Sequence, residues 1–186
     1  MTSQFQPVQA RSPRGRVFRI EARVGAADGE ASNLPGVLRL LNDALAASMV
    51  CVLRYRQHHF LARSARAYAA AWEFLDQSNE AQGHADLIAE RIVQLGGTPD
   101  FSFANLSRLD GQTHAETANV RAMVKEDLQA GHLAIDDYQQ FIEFLRDEYP
   151  TTRRVLEAIL AVKQEHSVQL TNLLQSVPAK PAYANQ

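Results

Sequence analysis

Four long stretches of this chain repeat apolar residues at alternating steps of four and three, and glycines and prolines punctuate them. The first seam reads Leu34, Leu38, Leu41, Leu45, Ser48, Val52, Tyr55, His59 and Ala62. The second reads Ala70, Phe74, Gln77, Ala81, His84, Ile88, Ile92 and Leu95. Val120, Val124, Asp127, Gly131, Ala134, Tyr138, Phe141 and Leu145 form the third, and Leu156, Ile159, Lys163, His166, Leu170 and Leu173 the fourth. That period gathers each set on one face of a helix. None of the four is apolar all round, so each has to bury its seam against the others.

The punctuation sets the order. Asn33 is placed to cap the first helix, and Pro35 is tolerated in its first turn, where the missing N–H had no partner anyway. The second helix is expected over Ser64–Leu95; Gly96-Gly97 ends it and Pro99 prevents resumption. Asp100 to Thr113 is long enough to run the length of a bundle, with room for a short turn over 103–106. The third helix is expected over Ala115–Arg146, Pro150 breaks the chain, and the fourth runs from Thr151 to before Pro178. Helices of on the order of 25–30 residues are roughly 40 Å long. The expected fold is therefore all-α: a four-helix bundle with one long crossover between the second and third helices.

A chain of 186 residues suffices for one domain with a sizeable core, here 34–177, flanked by tails at 1–33 and 178–186. A net charge of -2 gives no global reason to expect nucleic acid or membrane as a partner. Cys51 is the sole cysteine, which excludes an internal disulfide and fits a cytoplasmic location. No uninterrupted apolar run approaches the roughly 20 residues of a membrane span, so no membrane contact is expected. The polar start, Met1 to Gln6, lacks the apolar segment of a secretory signal. Residues 1–33 carry Arg11, Arg14, Arg16, Arg19 and Arg23 against Glu21, Asp28 and Glu30, and read first as a solvated tail and second as an arm making weak DNA contacts.

Side by side, the seams place one unusual layer halfway along. It holds Ser48 from the first helix, Ala81 and His84 from the second, Gly131 from the third, and Lys163 and His166 from the fourth. Dinuclear iron or manganese bundles build their centre in such a layer, with a Glu on each of two helices and a Glu-x-x-His pair on each of the others. Both histidines stand in that register here. Ser48, Ala81, Gly131 and Lys163 occupy the four carboxylate places.

The stretch Asn79 to Ile92, with Gly96-Gly97-Thr98-Pro99 after it, resembles the second helix of bacterioferritin-like and Dps-like ferritins. Leu41 to Leu45 and Val50 to Tyr55 resemble their first helix; Asp147 to Ala161 and Glu165-His166 resemble their fourth. The likeness spans about residues 34–175. It implies a ferritin-like fold, a hollow cage of 12 or 24 subunits and, in active relatives, Fe(II) oxidation at a diiron ferroxidase centre. The resemblance also implies that the ligands of such a centre would be glutamates at the four replaced positions. Only His84 and His166 match, as weak residual ligands. Haem in bacterioferritins is held by a methionine where this chain has Gln82, so no haem is expected.

Two imidazoles cannot offset the four charges of two Fe(II) ions, and the Lys163 ammonium repels a cation. The expectation is a metal-free polar core in which Lys163 pairs with Asp127, flanked by His84, His166 and Tyr55. Glu80 could lean towards His84, but Glu80 and Glu165 flank the seam and are expected to face solvent or a neighbouring subunit. Of His58-His59, only His59 is expected to point inward. Gly131 in mid-helix needs either a close helix approach or a cavity. Three functions compete. One is a cage subunit with a degenerate centre, alone or co-assembled with an active paralogue, iron being possible elsewhere in the cage. The others are an iron-oxidising mini-ferritin with a displaced or inter-subunit metal site, and a DNA-binding protein acting through its tail.

Overall fold

The computed structural model describes residues 33–109, 119–145 and 147–177. Within them lie four long helices and one short one: α1 (Leu34–Ser64), α2 (Tyr68–Gln94), α3 (Phe103–Leu109), α4 (Val120–Leu145) and α5 (Pro150–Ser176). α1 packs on α2 and α4 on α5; the two pairs meet through α1 with α4 and α2 with α5, and α3 lies against α1. The tails, His114 and the expected start of the third helix fall outside the described residues.

Boundaries follow the local chemistry. Asn33 sits at the α1 N-terminus, but its side chain makes no capping bond; its backbone carbonyl accepts the Val37 N–H at 3.0 Å instead. Residues 65–67 form a turn with Arg66 at φ 58°, so α2 starts at Tyr68 rather than Ser64. Gly96 adopts φ 79°, and the Gly96 and Gly97 N–H groups return to the Val93 and Ile92 carbonyls, closing the end of α2. At Gly97 the chain also passes close to α1: a Cβ there would stand 2.6 Å from Leu38 Cδ2.

The four seams face inward, and the core they build is split in two. One apolar cluster gathers Leu41, Leu45, Ile88, Ile92, Phe141, Leu156 and Ile159 near one end. A second gathers Ala62, Phe74, Met123, Val124 and Leu170 near the other. Between them lie buried polar groups, among them Ser48, Gln77, Ser78, His84 and Asp127.

Measured by mean hydropathy over a window rather than by unbroken runs, α1 is long and apolar enough to cross a membrane, with a value of 1.6. Arg39 and Asn42-Asp43 interrupt its apolar runs and hide this from a search for uninterrupted stretches. In the bundle half of that window is buried, and the buried seam packs on α2.

Candidate metal centre

The polar layer surrounds a small cavity of about 30 Å³, room for a water molecule or two. Ala81 and His84 reach it from α2, Gly131 from α4, Lys163 and His166 from α5, and Tyr55 from α1. Nothing would lie within 4 Å of a Cβ at Gly131, so its place is explained by the cavity and not by a close helix approach. Ser48 stands aside: its hydroxyl donates to the Ala44 carbonyl at 3.0 Å.

The expected Lys163–Asp127 ion pair does not form. The Lys163 ammonium lies 5.3 Å from the centroid of the Tyr138 ring, a cation–π contact, and makes no hydrogen bond or ion pair with the described residues. Asp127 points from α4 towards α1 and does not line the cavity. Fully buried, its Oδ2 accepts the His58 Nδ1–H at 2.7 Å and its Oδ1 lies 3.5 Å from Arg54 Nε. Burial pushes the Asp127 carboxyl above its usual range, while the His58 bond and the Arg54 charge pull it back. Arg54 loses hydration on burial, which disfavours its charge; Cys51, Asp127 and Tyr55 more than offset this. Cys51 Sγ accepts from Arg54 Nη2 at 3.5 Å.

The histidines differ from expectation too. His58 and His59 are both buried, and His58 faces the core, its ring 5.3 Å from that of Phe74. His59 Nδ1–H donates to the Ala71 carbonyl at 2.7 Å. Arg54 and His58 were not expected at the core because they lie one step off the strict seam. The signal was their spacing of four, which puts both on the flank of a broader buried stripe. Glu80 does not lean towards His84: it crosses from α2 to α5 and bonds His166 Nε2. Glu165 is exposed, as expected, and accepts from Gln169 at 3.5 Å. His84 makes no hydrogen bond with the described residues, and its pKa falls to about 3, from burial first and then from Lys163 and His166.

This donor set does not fit a pair of iron ions. Among the described residues no three His, Cys, Asp or Glu side chains converge as a ligand group. Two imidazoles face the layer, one already held by Glu80, and the nearest charge inside it is an ammonium. Hard divalent cations need carboxylate oxygens to offset their charge in a low-dielectric core. The half-buried Gln82 amide donates to Asp86 Oδ1 at 2.9 Å.

Against known proteins, a family model described as the ferritin-like domain matches residues 38–179. A nutrient stress-induced DNA-binding protein of Nostoc sp. (strain PCC 7120) is 33% identical over 139 residues, covering 72% of this chain and 74% of its own. A bacterioferritin of Mycobacterium tuberculosis (strain H37Rv) is 28% identical, covering 76% and 85%. Among solved structures, the bacterioferritin-related protein of Bacteroides fragilis, described as a dodecameric thioferritin, superposes with a TM-score of 0.71 at 25% identity over 77% of this chain and 87% of its own. The Rhodobacter capsulatus bacterioferritin, solved with a metal-free dinuclear site, gives 0.67 at 23% identity over 81% and 88%, a likeness of fold alone.

Proposed function

The chain belongs to the ferritin-like family, and we propose that it is a cage subunit related to iron storage and detoxification whose own diiron centre is degenerate. One observation carries this: the Lys163 ammonium enters the layer where the four carboxylate positions hold Ser48, Ala81, Gly131 and Lys163 itself. A shell subunit still needs outward surfaces for its neighbours. Leu53, Phe60 and Trp72 are 59%, 61% and 63% exposed on α1 and α2, more apolar area than a lone bundle has reason to present. We place the protein in the cytoplasm, in a homo-oligomeric cage of 12 or 24 copies or in a mixed cage with an active paralogue.

Fe(II) added to the purified chain should oxidise in air no faster than in buffer alone. Stoichiometric, saturable oxidation would overturn this reading in favour of a displaced or inter-subunit metal site. A second reading draws on the Nostoc relative, whose description is that of a DNA-binding protein. Five arginines in 1–33, repeated around a cage, would give avid and steeply salt-dependent DNA retention. Deleting residues 1–25 should abolish it; retention that survives the deletion would sink this second reading.

A further inference from the structure

The cavity at the centre of the bundle is lined by hydrogen-bond donors that have no acceptor. Lys163 brings three N–H groups, and its ammonium lies over the face of Tyr138 with no hydrogen bond to the described residues. His84 brings a ring N–H to the cavity wall and makes no hydrogen bond with the described residues. The same holds for the Tyr55 hydroxyl. Arg54 stands on the wall as well, its charge shared with Asp127 behind it. On the acceptor side the cavity offers Gln77 Oε1, buried and without a partner, while the Gln77 amide nitrogen is committed to Glu73 at 2.8 Å. Glu80 lies at the exposed edge, engaged with His166, and the Ser167 hydroxyl meets His132 Nε2 at 2.9 Å. Donors therefore outnumber acceptors, and the charge of Lys163 has no counter-charge inside.

From this we propose that the layer is a binding site for one small monovalent anion, of halide or nitrite size, seated between Lys163, His84 and Tyr55. This rests on the reading of the layer as one that takes no iron. Size argues for a small ion: a cavity of about 30 Å³ has room for a water molecule or two. Charge argues for a single one, since Asp127 already offsets Arg54 and only Lys163 is left uncompensated. Gln77 Oε1 is an acceptor and repels an anion, which places the ion towards α5 with a water bridging to Gln77. The ion would supply the half-buried Lys163 ammonium with a counter-charge that the cavity lining lacks. Functionally, the same register that holds cations in metal-binding bundles would be turned to an anion, which bars iron and fastens α5 to α1 and α2.

The test uses the assembled protein in halide-free buffer, with no iron added. Sodium bromide, compared with sodium sulfate at equal ionic strength, should raise the thermal midpoint in a saturable way, as a ligand of the folded state does. Crystals soaked in bromide should show an anomalous peak within hydrogen-bonding range of Lys163 Nζ. Lys163→Met should lose both signals, and Tyr55→Phe should weaken bromide several-fold, which keeps the proposal testable where Lys163→Met folds poorly. Equal bromide and sulfate responses, a bromide effect retained by Lys163→Met, or bromide peaks confined to the surface would each overturn it. Saturable Fe(II) oxidation would instead refute the degenerate-centre reading, and the bromide measurement reports separately from it.

Discussion

His58 Nδ1 and Asp127 Oδ2 stand 2.7 Å apart across the boundary between the two helix pairs, α1 giving the donor and α4 the acceptor. Arg54 Nε, 3.5 Å from the other carboxylate oxygen, makes this a three-residue buried group. Removing the carboxylate while keeping the guanidinium leaves a charge buried and uncompensated, so Asp127→Asn should cost about 3 kcal/mol. His58→Leu, which leaves the Arg54–Asp127 attraction in place, should cost about 1–2 kcal/mol. Urea midpoints at fixed protein concentration read both, and the double variant should fall short of their sum. Strict additivity would mean that the short contact carries no coupling.

Acid should loosen the bundle through His84. Its pKa in the folded state is about 3, against an ordinary value near 6.5 in the unfolded chain. Between those values the unfolded chain binds the proton and the folded one does not. The stability that the neutral ring contributes is thus complete above pH 6.5 and lost as the pH falls towards 3. Asp127 has the opposite sign: its raised pKa means that stability is lost as its carboxyl ionises with rising pH. His84→Gln isolates the first effect and should flatten the slope between pH 7 and pH 4 by about 3 kcal/mol. Denaturation midpoints at several pH values measure it, and parallel curves for the two proteins would contradict it.

Two glycines should respond to alanine in opposite directions. A Cβ at Gly131 meets nothing within 4 Å, so Gly131→Ala should stabilise the helix by about 0.5–1 kcal/mol by restricting the unfolded chain. At Gly97 the new carbon would stand 2.6 Å from Leu38 Cδ2 and 3.0 Å from Ile92 Cγ2. Gly97→Ala should therefore destabilise by about 1–3 kcal/mol, as overpacking does. Thermal midpoints of the two variants, moving apart around that of the parent, are the expected result.

The fold was legible because one period governs all four long helices. Leu41, Leu45, Phe74, Ile88, Phe141 and Leu156 are buried where the step of four and three puts them. What the period does not carry is the direction of a polar side chain within the layer. Asp127 stands one turn from the level of Lys163 on the adjacent helix, yet one turns to α1 and the other lies over Tyr138. A seam drawn one residue wide also leaves out Arg54 and His58, whose long side chains reach inward from its flank. Glu80 eluded the reading for a similar reason: it is half-exposed, and only the approach of α5 to α2 brings His166 within its reach.

The layer keeps the register, though not the charge, of a metal pair, and this allows a gain of function. Ser48→Glu, Ala81→Glu, Gly131→Glu and Lys163→Glu together replace one positive charge with four negative ones around His84 and His166. Gly131 and Ala81 border the cavity, a Cβ at Gly131 meets nothing within 4 Å, and shortening Lys163 to a glutamate releases further room for the new side chains. The fourfold variant should be less stable than the parent without metal, because four carboxylates repel one another in a buried layer. Cobalt(II) or Fe(II) should restore that stability, raising the thermal midpoint with metal concentration, and about two ions per chain should bind, as in dinuclear bundles. Lys163→Glu alone should not suffice, since one carboxylate and two imidazoles leave most of the added positive charge without an offset. A fourfold variant whose thermal midpoint ignores metal would show that more than the missing carboxylates bars iron from this layer.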